Sequence, residues 1–350
     1  MMRSYLSEAP HTPWMTKRHL GRYPVHMRSH IHSSTKALFL SALFILAALP
    51  AQAQTTAVTG GTLLPIDGPA IEDGVMLVEG GKITAIGAKG AIKIPAGATL
   101  VDATGKIVMP GLVDTHSHIG GIGAADSSAP IQPGVRVYDS INVRSSGFRR
   151  ALAGGLTTLN IMPGSGHLSS GQTAYVKLRF GDETPRTIDA ITYRFPDGSP
   201  MGGLKMANGT NSIRNKGEGG FPGTRGKSAF LVRSFYIRAQ EYKAKIEAAV
   251  DDDGNPDESK LPSRDLHLEA LLEVMSGKRI VHHHTHRHDD ILTVLRLSEE
   301  FGFRVVLHHV SEGWMVADEI AAAGVPCSAI LIDSPGGKLE ALNLVMKCGS

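Results

Sequence analysis

Sixteen histidines stand among the 350 residues of this chain, and seven of them fall between Lys278 and His309. A neutral imidazole is the commonest side-chain ligand for a transition metal. Three groups of these residues sit where apolar strands end. His116 and His118 close the run VDTHSH. Strand side chains alternate faces, so two residues two apart point the same way and can aim at one ion. His-x-His alone also describes two ordinary surface histidines. Pro110-Gly111 before the run and Gly120-Gly121 after it favour the ligand reading.

A second group, His282, His283, His284, His286 and His288, ends a strand that begins at Arg279. Period two places 282, 284 and 286 on one face. His284 lies nearest the strand's C-terminal end and is the expected ligand, with His286 and His288 lining the mouth or meeting water. A loose chelating tract is the competing reading. A third group, His308-His309, ends RVVLHH. One of the two should face inward, and His309, in phase with Leu307 and Val305, is the expected one. Histidines ending three strands suggest one shared centre, suited to zinc and also to iron or nickel. His167 follows PGSG and is a candidate substrate contact, although a loop histidine without a role fits equally. Arg287 and Glu312 read as pocket-rim or helix-start residues.

These residues need a scaffold of strand ends. From 55 to 110, short β-type runs broken by glycine (75–79, 82–86 and 99–102) read as a small β-sandwich segment, with Gly80-Gly81 as a tight hairpin turn. After Gly111, apolar strands alternate with helical stretches, which predicts βα units and a parallel sheet. Strands are expected at 112–115, 157–161, 204–206, 279–284, 304–309 and 325–330, with one more within 173–194. Helices are expected at 229–250, 266–276, 289–301 and 313–323. That makes about seven strands of a TIM-like (β/α)8 barrel, which has eight when closed. The barrel over 111–350 is therefore expected to be incomplete, and the eighth strand to be absent.

The composition, 42% hydrophobic and 20% charged, is that of an ordinary globular chain. A net charge of only +3 with no long basic stripe excludes nucleic acid as a partner. Cys327 and Cys348 lie far apart and form no CxxC pair, so no disulfide framework is expected. KALFLSALFILAAL at 36–49 is too short to span a bilayer, which takes roughly 20 residues. It runs into the small-x-small pattern Ala51-Gln52-Ala53, so 27–53 reads as a secretory signal peptide cut after Ala53. Residues 1–26 read as an extension ahead of the true start at Met27. Export to a bacterial periplasm follows, with membrane contact only in transit.

PGLVDTHSH resembles the first-strand motif of the amidohydrolase superfamily. GGKITAIG and VDATGKIVMPG resemble its N-terminal β-sandwich segment. GLTTLNIMPGSGHLSSGQTAYVKLR, GLKMANGTN, HHHTHRHDDI and LHHVSE resemble its imidazolonepropionase-like branch. The resemblance implies a metal-dependent hydrolase holding one or two divalent ions, zinc in the first place. It implies metal ligation by His116, His118, His284 and His309, with Lys205, in the fourth-strand position, as the bridging ligand. A surface or core-rim lysine is the alternative for Lys205, because Thr210 stands where related sequences carry Glu. Val310 replaces the Gly that usually follows the last histidine. No aspartate fits the eighth-strand proton shuttle, since Asp333 sits in a loop-like SAILIDSPGG, so the catalytic acid-base is unassigned and the chain reads as a fragment. The expected chemistry is attack of activated water on an amide, cyclic amide or peptide-like substrate, in a chain compatible with a homo-oligomer. A non-catalytic envelope metal-binding protein and an inactive fragment are the rival readings.

Overall fold

The computed structural model describes residues 54–330, apart from 124, 181–184, 215–218 and 252. The signal-peptide segment, the preceding extension and Asp333 lie outside the described residues. Two compact units divide between Pro110 and Gly111.

The first unit is one five-stranded sheet. β1 (Thr56–Leu63), β2 (Ile71–Glu79), β3 (Lys82–Ala88) and β4 (Thr99–Asp102) lie in the order β3-β2-β1-β4, and the short β5 (Ile107–Val108) also pairs with β1. Gly80 and Gly81 join β2 to β3 with φ of 55° and 76°. A two-residue turn with both φ positive matches strand twist, and glycine adopts it without a steric cost. Ala57, Val75 and Leu77 form the small core. A single sheet is described here, so the expected sandwich has no second layer among the described residues.

The second unit carries the histidines. β6 (Leu112–Ser117) and β7 (Leu156–Ile161) run parallel around α1 (Ser146–Ala153). β10 (Leu204–Ala207), β11 (Val281–Thr285), β12 (Val305–His309) and β13 (Cys327–Ala329) form a parallel run. α2 (Arg225–Ala248) and α3 (Leu266–Met275) separate β10 from β11; α4 (His288–Phe301) and α5 (Ala317–Ala322) follow β11 and β12.

The strand expected within 173–194 departs from the all-parallel pattern. β8 (Ser169–Gln172) lies antiparallel to β10, and β9 (Ala174–Lys177) lies antiparallel to β7. Only Thr173 separates them, so one extended stretch borders both sheets. The sheet is therefore mixed, and no ladder joins β13 to β6 among the described residues. A side-chain hydrogen bond between the Thr115 and Ser328 hydroxyls, 2.8 Å long, links those two edge strands instead.

The helices are fixed at their ends by ordinary capping chemistry. The Thr224 side chain accepts from Lys227 N–H at the start of α2, and Asp265 accepts from His267 and Leu268 N–H at the start of α3. Gly302, at φ 69°, ends α4 in the left-handed conformation. Tyr236 of α2 is the largest fully buried side chain, stacked at 4.9 Å on Phe301 and 5.2 Å on Phe303. Leu204, Met206, Val281 and Leu307, from the strands that carry the site, share its hydrophobic core. We expect Tyr236→Ala to cost about 3–5 kcal/mol, seen as a lower denaturant midpoint at unchanged m-value. A loss below about 1 kcal/mol would contradict this packing role.

Candidate metal centre

β6 delivers the first two rings. His116 lies in its last turn of pleat and His118 just beyond it, with their Nε2 atoms 3.2 Å apart. The His118 Nδ1 atom lies 2.8 Å from the Met162 carbonyl oxygen. A carbonyl only accepts, so Nδ1 carries the proton and Nε2 of His118 presents a lone pair towards His116. Lys205 of β10 has no exposed surface, and its Nζ sits 3.4 Å from His116 Nε2 and 3.3 Å from Met162 Sδ. Burial lowers the Lys205 pKa to about 7, so an uncharged amine is accessible near neutrality.

β11 and β12 deliver the second grouping. One ligand atom each from His284, His286 and His309 lies within 4.8 Å of the others. The His284 ring lies 4.4 Å from that of His309 and 4.6 Å from that of His286. The Ser311 hydroxyl lies 2.6 Å from His286 Nδ1 and the Asn211 amide nitrogen 3.1 Å from His284 Nε2, which orients both rings. His286 is buried here and does not line a mouth. Period two predicted its face; only the fold of the loop after β11 shows its depth.

One inward ring was expected from His308-His309, and the structure brings in both. His308 Nδ1 lies 3.1 Å from His116 Nδ1, and the His309 ring lies 4.8 Å from the His116 ring. Consecutive strand residues normally face opposite ways. Here φ is 75° at His309 and 47° at Val310, so the alternation ends inside the motif. Val310 stands where the resemblance expects Gly, and its backbone is in the left-handed region that favours Gly.

The five-histidine tract is divided among separate environments. His282 reaches Tyr175 and His308, the His283 Nδ1 sits 3.0 Å from the His284 carbonyl, and His288 meets Glu312 at 2.8 Å. Glu312 also accepts from the His288 N–H at the start of α4, while Arg287 pairs with Asp289. That is a set of specific partners, unlike a loose chelating tract. His167 is buried after β7 beside Phe221, at 5.3 Å between rings, with the Arg214 guanidinium 4.6 Å from the same ring. It stands outside the group of His284, His286 and His309.

Electrostatics keep these rings neutral. Burial, reinforced by Lys205, lowers His282 to about 4. Burial lowers His283 to about 3. Burial, with the neighbouring His282 and Lys205, lowers His308 to about 2. His116 is lowered by burial and then by Lys205 and His308, and His118 by desolvation against the pull of its Met162 hydrogen bond. Neutral imidazoles keep a lone pair for a cation. In a tetrahedral zinc site with bonds near 2.0–2.1 Å, ligand nitrogens stand about 3.3 Å apart. The 3.2 Å between His116 and His118 fits that spacing. The donor set therefore suits zinc or a similar borderline ion.

Comparisons with known proteins agree with this reading of the fold. A solved amidohydrolase from Thermotoga maritima MSB8 matches with a TM-score of 0.71 and 31% identity, covering 83% of this chain and 74% of that one. The amidohydrolase tasK of Hapsidospora irregularis is 28% identical over 288 residues, which is 77% of this chain and 29% of its own length. An enamidase of Eubacterium barkeri is 38% identical over 102 residues, 29% of this chain and 22% of its own length. The chain thus spans less than a third of either curated relative. No family model matches it. At 31% identity over 83% of its length, and with the same fold, the chain belongs to the amidohydrolase family.

Proposed function

We propose that this chain is a metal-dependent hydrolase of carbon–nitrogen bonds in amides, cyclic amides or peptide-like substrates, of the imidazolonepropionase-like branch. The observation that carries the reading is the convergence of rings from β6, β11 and β12, with His309 4.8 Å from His116 and 4.4 Å from His284, and with the buried Lys205 of β10 beside His116. His116, His118, Lys205, His284 and His309 would hold one or two divalent ions, zinc in the first place, and His286 joins them as a neighbouring donor. A bound ion of this kind lowers the pKa of water from 15.7 towards about 7 and polarises a carbonyl oxygen.

The chain's own groups orient the ligands. His118 is held by Met162 with its lone pair turned inward. Asn211 and Ser311 orient His284 and His286. Lys205, kept from full protonation by burial, presents its amine beside His116. We place His167 at the substrate, against the apolar face of Phe221. The enamidase relative and the wider amidohydrolase likeness support carbon–nitrogen chemistry. The 36–49 apolar run and its cleavage pattern support export to a periplasm.

Purified full chain should bind one or two zinc ions in equilibrium dialysis, and zinc at 100 times Kd should stabilise it by about 2.7 kcal/mol. Chelation should abolish hydrolysis across a panel of cyclic amides and dipeptides. A chain that stays metal-free when offered zinc contradicts the proposal. Separately, Lys205→Met should weaken zinc binding at least tenfold while raising the melting temperature of the metal-free protein, because it removes a buried amine. Lower zinc affinity together with a lower melting temperature would assign Lys205 a structural role instead.

Acid should also act on the metal-free fold. His282, His283 and His308 stay neutral when folded but protonate near 6.5 when unfolded, so the unfolded chain binds more protons below that pH. Stability is therefore full above about pH 6.5 and falls as pH drops towards about 4. Melting temperatures measured from pH 8 to 4 should show that fall, and a flat profile would contradict the neutral-ring account.

A further inference from the structure

Behind the metal-facing rings lies a second rank of polar groups with no assigned role. The Tyr175 hydroxyl lies 2.8 Å from His282 Nε2. His282 Nδ1 lies 2.9 Å from His308 Nε2. His308 Nδ1 lies 3.1 Å from His116 Nδ1. Each interior ring thus uses both nitrogens, in one unbroken line from β9 through β11 and β12 to β6. His282 is 6% exposed and His308 not at all. The line is built, not incidental. Gly203 makes room for it, since a Cβ there would meet His282 Cδ2 at 2.4 Å. Tyr175 and His282 also line a cavity of ≈350 Å³ together with Asp114, Asn160 and Tyr193.

We propose that Tyr175, His282 and His308 are positioning residues that set which nitrogen of His116 faces the ion. The inference rests on His116 being a ligand. With an ion on Nε2, a neutral His116 must carry its proton on Nδ1. That N–H then donates to His308 Nδ1. His308, neutral, carries its proton on Nε2 and donates to His282 Nδ1. His282 in turn donates from Nε2 to the Tyr175 oxygen. Every proton position along the line follows from the first, and each ring remains uncharged. Tyr175 closes the line as an acceptor and remains a phenol, because burial raises its pKa to about 12. Groups that orient a ligand histidine in this way typically change metal affinity 10–100-fold when removed.

The test uses the full chain labelled with ¹⁵N-histidine and loaded with zinc. Long-range ¹H–¹⁵N correlation should find His116 protonated on Nδ1, and His308 and His282 protonated on Nε2. Tyr175→Phe removes one oxygen and no packing volume, so it should fold with an unchanged far-ultraviolet circular dichroism spectrum. It should weaken zinc binding about tenfold or more. His308→Ala would leave a buried void, so it is not the deciding variant. Zinc affinity unchanged in Tyr175→Phe, or His282 protonated on Nδ1 in the loaded wild type, overturns the inference while leaving His116 as a ligand. Wild type that binds no zinc overturns the metal reading itself, and this inference with it.

Discussion

Burying imidazoles without charging them is the constraint on which the rest of this molecule depends. A ring taken out of water loses its proton readily, and that loss exposes the lone pair a cation needs. The same burial makes every remaining ring nitrogen costly to leave unsatisfied. Much of the second unit answers that cost. Met162 supplies a carbonyl to His118, Ser311 a hydroxyl to His286, and His308 a ring nitrogen to His116. Placing these partners requires β6, β10, β11 and β12 to end near one another, and the cores around Tyr236 and Phe148 hold those strands. Packing and chemistry are thus two results of one arrangement.

The end of β12 shows where that arrangement is strained. His309 and Val310 both take the left-handed backbone region, and a β-branched residue is disfavoured there. Such a residue costs on the order of 1–3 kcal/mol. The distortion lets two consecutive histidines turn towards His116. It is held by the hydrogen bond from Val310 N–H to the Thr285 carbonyl, 2.9 Å, and by the burial of the Val310 side chain. Strain of this kind is sustained where the surroundings over-determine the conformation.

Much of this was legible in the residues. The Gly80-Gly81 hairpin, the parallel strands at 112–117 and 305–309 and the long helices all left periodic or turn signals. The stretch Ser169–Gln172 did not, because a buried strand of Ser, Ser, Gly and Gln carries no apolar run, and its antiparallel course is set by its neighbours on either side. α1, SGFRRALA, leaves no clear signal for a related reason: it is short, and Phe148 is its one buried side chain. Alternation picked one inward ring of His308 and His309 because it assumes β geometry through the motif's end. Spacing gives no depth for His286, which lies beyond the end of β11 and is buried, since depth is a property of the packed loop. The full burial of Lys205 likewise depends on groups distant in sequence, His116 and Met162.

Zinc K-edge X-ray absorption on the full chain carrying substoichiometric zinc measures the central claim directly. The account predicts a first shell of nitrogen and oxygen near 2.0–2.1 Å with the outer-shell scattering pattern of at least three imidazoles. A shell of oxygen alone, without imidazole scattering, would contradict it.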